Sequence, residues 1–353
     1  MDKIHKLLAF VIGLIILIVF ISGCNENPTN NGSNKPRTLF VDDDGGKDFT
    51  SIQSAIDQAN SGDTIYVFDG FYDESLFINK PLNLIGSGAT NTFIFPKEVD
   101  LNNYSTIFIS DDNCTVKDFD ISFDGTISEN VGIRISSSNN TILNNTFSNL
   151  KYGIYLISDS LNYIIFGNNI SYNRISDCSY GIYGYSDMKN NVFFNNTVKY
   201  NQDGIEFYSA VNNSIIGNEV ASNSMYGIFI SSGSDGNIIC YNYLKNNYYG
   251  IRFKGVSYNE IFANKVVECD IGLYSCCGSN DNILYYNSLI NNTKQAADAF
   301  SNSWDNGEFG NYWDDYSEKY PNATHFDDVW DTAYNISDGY NKDNFPLINP
   351  YVI

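Results

Sequence analysis

The chain has 353 residues, with 41 acidic against 20 basic side chains, a formal charge of −21 and only two histidines. A surface this acidic repels phosphate backbones, which excludes nucleic acid as a partner. It also disfavours polyuronates and other polyanions unless bound cations or a basic patch compensate.

Lys3 and Lys6 precede an apolar run from Leu7 to Ile21, which closes on Ile21-Ser22-Gly23-Cys24. The run is short and abruptly ended for a membrane span and has the layout of a secretory signal with a lipobox. Residues 1–24 are therefore expected to be a lipoprotein signal, with Cys24 carrying the lipid that holds the protein to the membrane. The polar stretch that follows, 25–37, is a flexible tether. This places the folded part on the extracellular face of the cell membrane. Sequons at Asn103, Asn113, Asn144, Asn169, Asn195, Asn322 and Asn335 suit a glycosylated surface protein.

Asp48 to Ala59 carries the one helical pattern outside the signal, with Ile52, Ala55, Ile56 and Ala59 on one face. Strands are predicted at Thr64–Phe68, Leu76–Ile78, Leu82–Ile85 and Thr92–Phe95. From there the chain becomes periodic. An x-Gly-Ile or x-Gly-Leu step recurs at Gly132, Gly153, Gly181, Gly204, Gly227, Gly250 and Gly272, at intervals of 21, 28, 23, 23, 23 and 22 residues. In phase with it runs Asn, an apolar residue two on, Asn three further on, and another apolar residue two on, as in Asn213/Ile215/Asn218/Val220 and Asn237/Ile239/Asn242/Leu244.

A period near 23 with about three short alternating runs per repeat predicts an all-β right-handed parallel β-helix, with rungs about 4.8 Å apart. The coil is expected over 38–303, plugged at its start by the 48–59 helix. Gly and Asn are expected at corners that need positive φ. Asn145, Asn168, Asn196, Asn218, Asn242, Asn264 and Asn287, in nearly one phase, are expected to stack as an amide ladder. The chain is expected to be a monomer.

Strand alternation points Ile133, Ile154, Ile182, Ile205, Ile228, Ile251 and Leu273 inward. The next residues then face out as a column: Arg134, Tyr155, Tyr183, Glu206, Phe229, Arg252 and Tyr274. Two residues on, a second column contains Tyr185, Tyr208, Lys254 and Cys276. Aromatic faces every rung or two, with Glu and Arg between them, suit stacking and hydrogen bonding to a glycan or another cell-envelope polymer. Asp203, Glu206, Arg252 and Lys254 are the nearest approach to a catalytic set, because hydrolysis needs paired carboxylates and β-elimination a base with a cation. In sequence they read as solvated charges, and a binding role without turnover is favoured.

Six cysteines follow Cys24: Cys114, Cys178, Cys240, Cys269, Cys276 and Cys277. Cys178 and Cys269 share a position four rungs, roughly 19 Å, apart, beyond disulfide reach. A bridge from Cys269 to Cys276 or Cys277 is the more plausible one, with Cys178 and Cys240 as buried thiols. All three tryptophans, Trp304, Trp313 and Trp330, fall in 304–353, a closing segment dense in carboxylates. There Asp327, Asp328 and Asp331 are calcium candidates, although no EF-hand or nonapeptide spacing is present. No cofactor is required.

The stretch from Asp48 to Asp63, with Val67–Tyr72 and Glu74, resembles the opening of secreted proteins of the pectin-lyase-like superfamily. The Gly and Asn repeats resemble the NosD family, as do Gly310-Asn-Tyr-Trp-Asp-Asp-Tyr316 and Asp343-Asn-Phe-Pro-Leu347. The resemblance implies the β-helix. It also admits a polysaccharide lyase, hydrolase or epimerase, or an accessory protein of copper-enzyme maturation. The Gln-Asp motifs of pectinesterases and the Gly-His-Gly of polygalacturonases are missing. Beyond the signal, His325, Met188 and Met225 are the only His and Met residues, which makes copper an unfavoured ligand; Cys276-Cys277, with Cys269, is the one thiolate set available.

Overall fold

A computed structural model describes residues 35–98, 104–123, 129–158 and 163–351, of which those from Arg37 on form one compact unit. The expected signal, Cys24 and nearly all of the tether lie outside the described residues.

Each turn of the chain lays down three strands and turns three corners. Residues 192–211 are typical: Val192–Phe194 joins the first sheet, Thr197–Lys199 the second and Asp203–Val211 the third. Every neighbouring pair along the three sheets is parallel, as in Phe193↔Ile215, Val198↔Val220 and Ile205↔Ile228. Among the described residues each sheet holds eleven strands. This is the right-handed parallel β-helix. Strands the sequence did not suggest, Thr38–Val41 and Gly70–Tyr72, complete the first rungs. The inward Ile column and Leu273 are fully buried.

Asn and Gly do take positive φ at many corners, as at Asn144, Asn190, Asn212, Gly167, Gly217 and Gly236, but not at the positions that define the repeat. The repeat glycines are not in the left-handed region; instead they sit where a neighbouring rung leaves no room. A Cβ on Gly227 would lie 2.5 Å from the Gly250 carbonyl oxygen, and one on Gly250 equally close to that of Gly272. Positive φ belongs to the residue just before most inward corner asparagines, as at Asn195 (51°), Tyr241 (57°) and Ala263 (53°).

The asparagines form not one ladder but three, one per corner. Between the first and second sheets run Asn145, Asn173, Asn196, Asn218, Asn242, Asn264, Asn287 and Asn311. Each Nδ2 donates to the next Oδ1 at 2.9–3.2 Å. Asn168 belongs to the ladder between the third and first sheets, from Asn140 to Asn302. A shorter row, Asn201, Asn223 and Asn247, occupies the remaining corner.

Each ladder amide is saturated. Asn218 Nδ2 also donates to the Phe193 carbonyl at 2.9 Å, and its Oδ1 accepts from Nδ2 and the backbone N–H of Asn196. Burial without partners would cost each polar group about 1–3 kcal/mol; stacking removes that penalty.

Three cysteines stand where a ladder Asn would. The backbone N–H groups of Cys114, Cys178 and Cys269 donate to Asn140, Asn201 and Asn292 at 2.9–3.0 Å. All six described cysteines are free thiols, so the expected Cys269 bridge is not formed; Cys269 is instead locked into its corner column. Burial pushes Cys114 and Cys178 up to about 12.

At the start of the coil, helix α1 (Ile52–Gln58) buries Ile52, Ala55 and Ile56 over the first rung. Its first N–H groups, on Ile52 and Gln53, donate to Glu74 at 2.8 and 2.9 Å, and Lys80 Nζ caps the carbonyls of Ile56 and Ala59. At the far end the coil passes residue 303. Lys294–Asp298 extends the third sheet, and Tyr312–Trp313 pairs with Ser288 and Leu289. Here the ladders meet acids. Asn302 Nδ2 donates to Asp298, and the Asn311 N–H to Asp343 at 2.7 Å. Asn292 donates to Gln295, which donates to Asp314. Trp304 and Trp313 close over the core, their indole N–H groups on Asp298 and Asp343 at 2.9 and 2.8 Å.

Candidate ligand-binding face

The third sheet has the longest strands, and the x-Gly-Ile step shapes its outer side. Gly and Ile both face the interior, so two consecutive inward residues interrupt the alternation, and residues three apart share the outer face. The ring centroids of Tyr152 and Tyr155 are 4.8 Å apart, and those of Tyr226 and Phe229 4.6 Å. The predicted column Arg134, Tyr155, Tyr183, Glu206, Phe229, Arg252 and Tyr274 is in lateral register along the sheet. The second column, through Tyr185, Tyr208 and Lys254 to Cys276, runs beside it.

A further row escaped the sequence reading: Tyr152, Tyr180, Asp203, Tyr226 and Tyr249, the x of each x-Gly-Ile. Simple alternation from the glycine turns this position inward. The signal was present nonetheless, since x is Tyr in four of the seven steps.

The rings pack into a continuous aromatic surface. Tyr152 stacks on Tyr180 at 4.9 Å, Tyr226 on Tyr249 at 5.6 Å and Tyr249 on Tyr274 at 5.4 Å. Phe229 is only 4% exposed, so it forms the floor beneath Tyr208 and Tyr226 rather than an open platform. Tyr185 is 48% exposed and offers the most accessible ring of the second column. Arg252 lies among four rings, Tyr226, Phe229, Tyr249 and Tyr274, with its guanidinium carbon 5.1–5.5 Å from each centroid. Its Nη1 donates to the Tyr226 hydroxyl at 2.7 Å, and Nη2 lies 3.8 Å from Cys276 Sγ. Lys254 is exposed, and Arg134 covers Phe108 at 5.0 Å.

Asp203 and Glu206 are not the solvated charges their surroundings in sequence suggest. They are 3% and 5% exposed, walled by the rings of neighbouring rungs. Glu206 Oε1 accepts from the Tyr208 hydroxyl at 2.7 Å, while Oε2 is buried with no hydrogen-bond partner among the described residues. Burial raises the Glu206 carboxyl to about 7, with Asp203 adding to the rise and Tyr208 and Arg252 opposing it. Asp203 is raised to about 6 by burial, against the Tyr226 N–H at 3.3 Å. Burial thus shifts both carboxyls of this strand toward neutrality, Glu206 further than Asp203.

The calcium candidates do not converge. Asp331 is engaged by Thr324 and Thr332, and Asp327 and Asp328 stand exposed beside it. The buried acids at this end, Asp298 of the last third-sheet strand and Asp343 of the closing segment, serve the ladder ends instead.

The family model "Periplasmic copper-binding protein (NosD)" matches residues 56–255 and 244–318, so the chain belongs to the NosD family. No curated protein matches it. Among solved structures it is similar to the A-module of the Azotobacter vinelandii mannuronan C-5 epimerase AlgE6, at 16% identity and TM-score 0.52, over 72% of this chain and 93% of that one. It is also similar to XylC in complex with xylose (12%, 0.57, 88% and 73%) and to the GH136 lacto-N-biosidase of Eubacterium ramulus (13%, 0.56, 76% and 67%). At such identities the likeness shows the shared fold, a parallel β-helix.

The family description names copper. Cys276 and Cys277 hold their sulfurs 3.0 Å apart, but Met188 is in the core and His325 lies exposed in the closing segment. Among the described residues the one trio of His, Cys, Asp or Glu ligand atoms within 4.8 Å of one another is Asp42, Asp43 and Asp44, a hard-oxygen set. These residues do not fit a soft copper centre of three or four donors.

Proposed function

We propose that this NosD-family chain binds a glycan along the outer side of its third sheet, displayed outside the cell on a lipid anchor at Cys24. The observation that carries the reading is the aromatic surface itself, with Tyr152, Tyr155, Tyr180, Tyr183, Tyr185, Tyr208, Tyr226, Tyr249 and Tyr274 on consecutive rungs. Rungs repeat about every 4.8 Å, so an elongated ligand lying along the coil meets a ring at nearly every step, with Glu206, Arg252 and Lys254 interspersed for its hydroxyls. The carbohydrate-directed names of the solved neighbours support the same class of ligand. Neither calcium nor copper is needed. The Asp203–Glu206 pair keeps a second reading alive, hydrolysis of the bound glycan, because one carboxyl could donate a proton as the other accepts one.

A polysaccharide panel read for both binding and new reducing ends tests these together. Each stacked ring is worth about 1 kcal/mol, so Tyr155→Ala with Tyr183→Ala should weaken binding by roughly tenfold or more. Unchanged affinity in a variant that melts normally would remove the face from the reading.

A further inference from the structure

We propose that the glycan received on this face carries amino groups, and that Asp203 and Glu206 accept one of them as an ammonium ion. The inference rests on the glycan reading above and names its chemical class.

Three observations converge on it. First, the face already holds one cation in an aromatic setting: the Arg252 guanidinium sits against four ring faces at 5.1–5.5 Å. Ring faces attract positive charge, more strongly when water is excluded. Second, two rungs away the same lattice of rings surrounds not a cation but two carboxyls. Tyr180 and Tyr183 lie on one neighbouring strand, and Tyr226 and Phe229 on the other. Third, Glu206 is 5% exposed and its Oε2 has no hydrogen-bond partner among the described residues. A buried acceptor in that state gains what an ammonium donor supplies, a charge-assisted hydrogen bond. A neutral sugar hydroxyl gives the weaker half of that interaction, and a uronate would bring a third negative charge.

Access follows from the rim. Tyr208 is half-buried and holds Oε1 through its hydroxyl, so rotation of this ring uncovers the carboxyl. The formal charge of −21 draws a polycation toward the protein from a distance.

The test uses glucosamine oligosaccharides, N-acetylglucosamine oligosaccharides of the same length, and N,N,N-trimethylated glucosamine oligosaccharides, whose charge does not titrate. Calorimetry on the mature protein should show the glucosamine oligomer binding at least tenfold tighter than its acetylated counterpart. Glu206→Gln and Asp203→Asn, each matching its acid in size, should erase that preference, bringing the amine and acetylated oligomers to within about twofold of each other. The trimethylated probe keeps the charge but has no N–H to donate, so it should bind more weakly than the glucosamine oligomer, and its affinity should still rise from pH 5.5 to 8 in the wild type. Over that range Glu206 ionises in the presence of Asp203 and Tyr208 on its own strand, Tyr180, Tyr183 and Tyr226 beside it, and Arg252 beyond. Equal affinity for amine and acetylated oligomers, or a preference that survives both substitutions, overturns the proposal while the glycan reading stands. Failure of every glycan in the panel to bind removes both.

Discussion

Two sets of polar side chains in this protein are almost equally shut off from water, and they are treated in opposite ways. The corner asparagines are buried with every donor and acceptor engaged. Asp203 and Glu206 are buried on the outer face, with one carboxylate oxygen unpartnered and both acids raised toward neutrality. Burial alone therefore does not mark a functional group. What separates the sets is saturation: the ladder commits all of its hydrogen-bonding capacity to the fold, and the carboxyl pair keeps some in hand.

The largest expected effect that would break this contrast is on the ladder. Asn218→Leu removes the acceptor of both the Asn196 N–H and its Nδ2 and frees the Phe193 carbonyl, and it should destabilise by about 3 kcal/mol or more. Urea unfolding that shows a loss under about 1 kcal/mol would mean the ladders are ornament. Gly227→Ala forces a methyl to within 2.5 Å of a carbonyl oxygen on the next rung and should cost roughly 2 kcal/mol, read as a lower melting temperature.

The carboxyl pair should behave with the opposite sign. Because the folded Glu206 and Asp203 carboxyls are raised, their contribution is fully present below the ordinary carboxylate range. It is lost as pH climbs through about 6 and 7. A tenfold change in a group's proton affinity on folding is worth about 1.4 kcal/mol. The double variant Asp203→Asn/Glu206→Gln should therefore gain on the wild type by at least roughly 2 kcal/mol between pH 4.5 and 8. Parallel melting curves across that range would show the pair to be solvated after all. The smallest effect belongs to Tyr185→Ala, half-exposed, which should change stability by less than about 0.5 kcal/mol yet lower glycan affinity. If it lowers stability instead, the outer rings are packing and not a platform.

Much of this was legible in advance, for identifiable reasons. The glycine period revealed the coil, and the inward Ile column followed from alternation. The row through Tyr152, Tyr180 and Tyr226 was hidden because Gly and Ile turn inward together, a departure from alternation that only the close approach of the next rung explains. Asn168 sits in a different ladder from the one its spacing suggests, because all three corners use the same residue and spacing alone does not tell one corner from another. Asp203 and Glu206 looked solvated because their cover comes from residues 23 positions away on either side, on neighbouring strands. The acids of the closing segment suggested an ion site at Asp327, Asp328 and Asp331, yet these do not converge, and Asp314 and Asp343 are taken up by the last amides.

Those last amides bear on how long the molecule can be. Every Asn passes its hydrogen bond in the same direction, toward the C-terminal end, and an amide can hand the pattern on because it both accepts and donates. A carboxylate only accepts. Asp298 and Asp343 therefore end their rows of amides, each accepting from the last Asn and from a tryptophan indole. Both acids are fully buried, so each row of amides stops inside the molecule and not at a surface where a second copy could extend it, the head-to-tail hazard that any stack of like rungs carries.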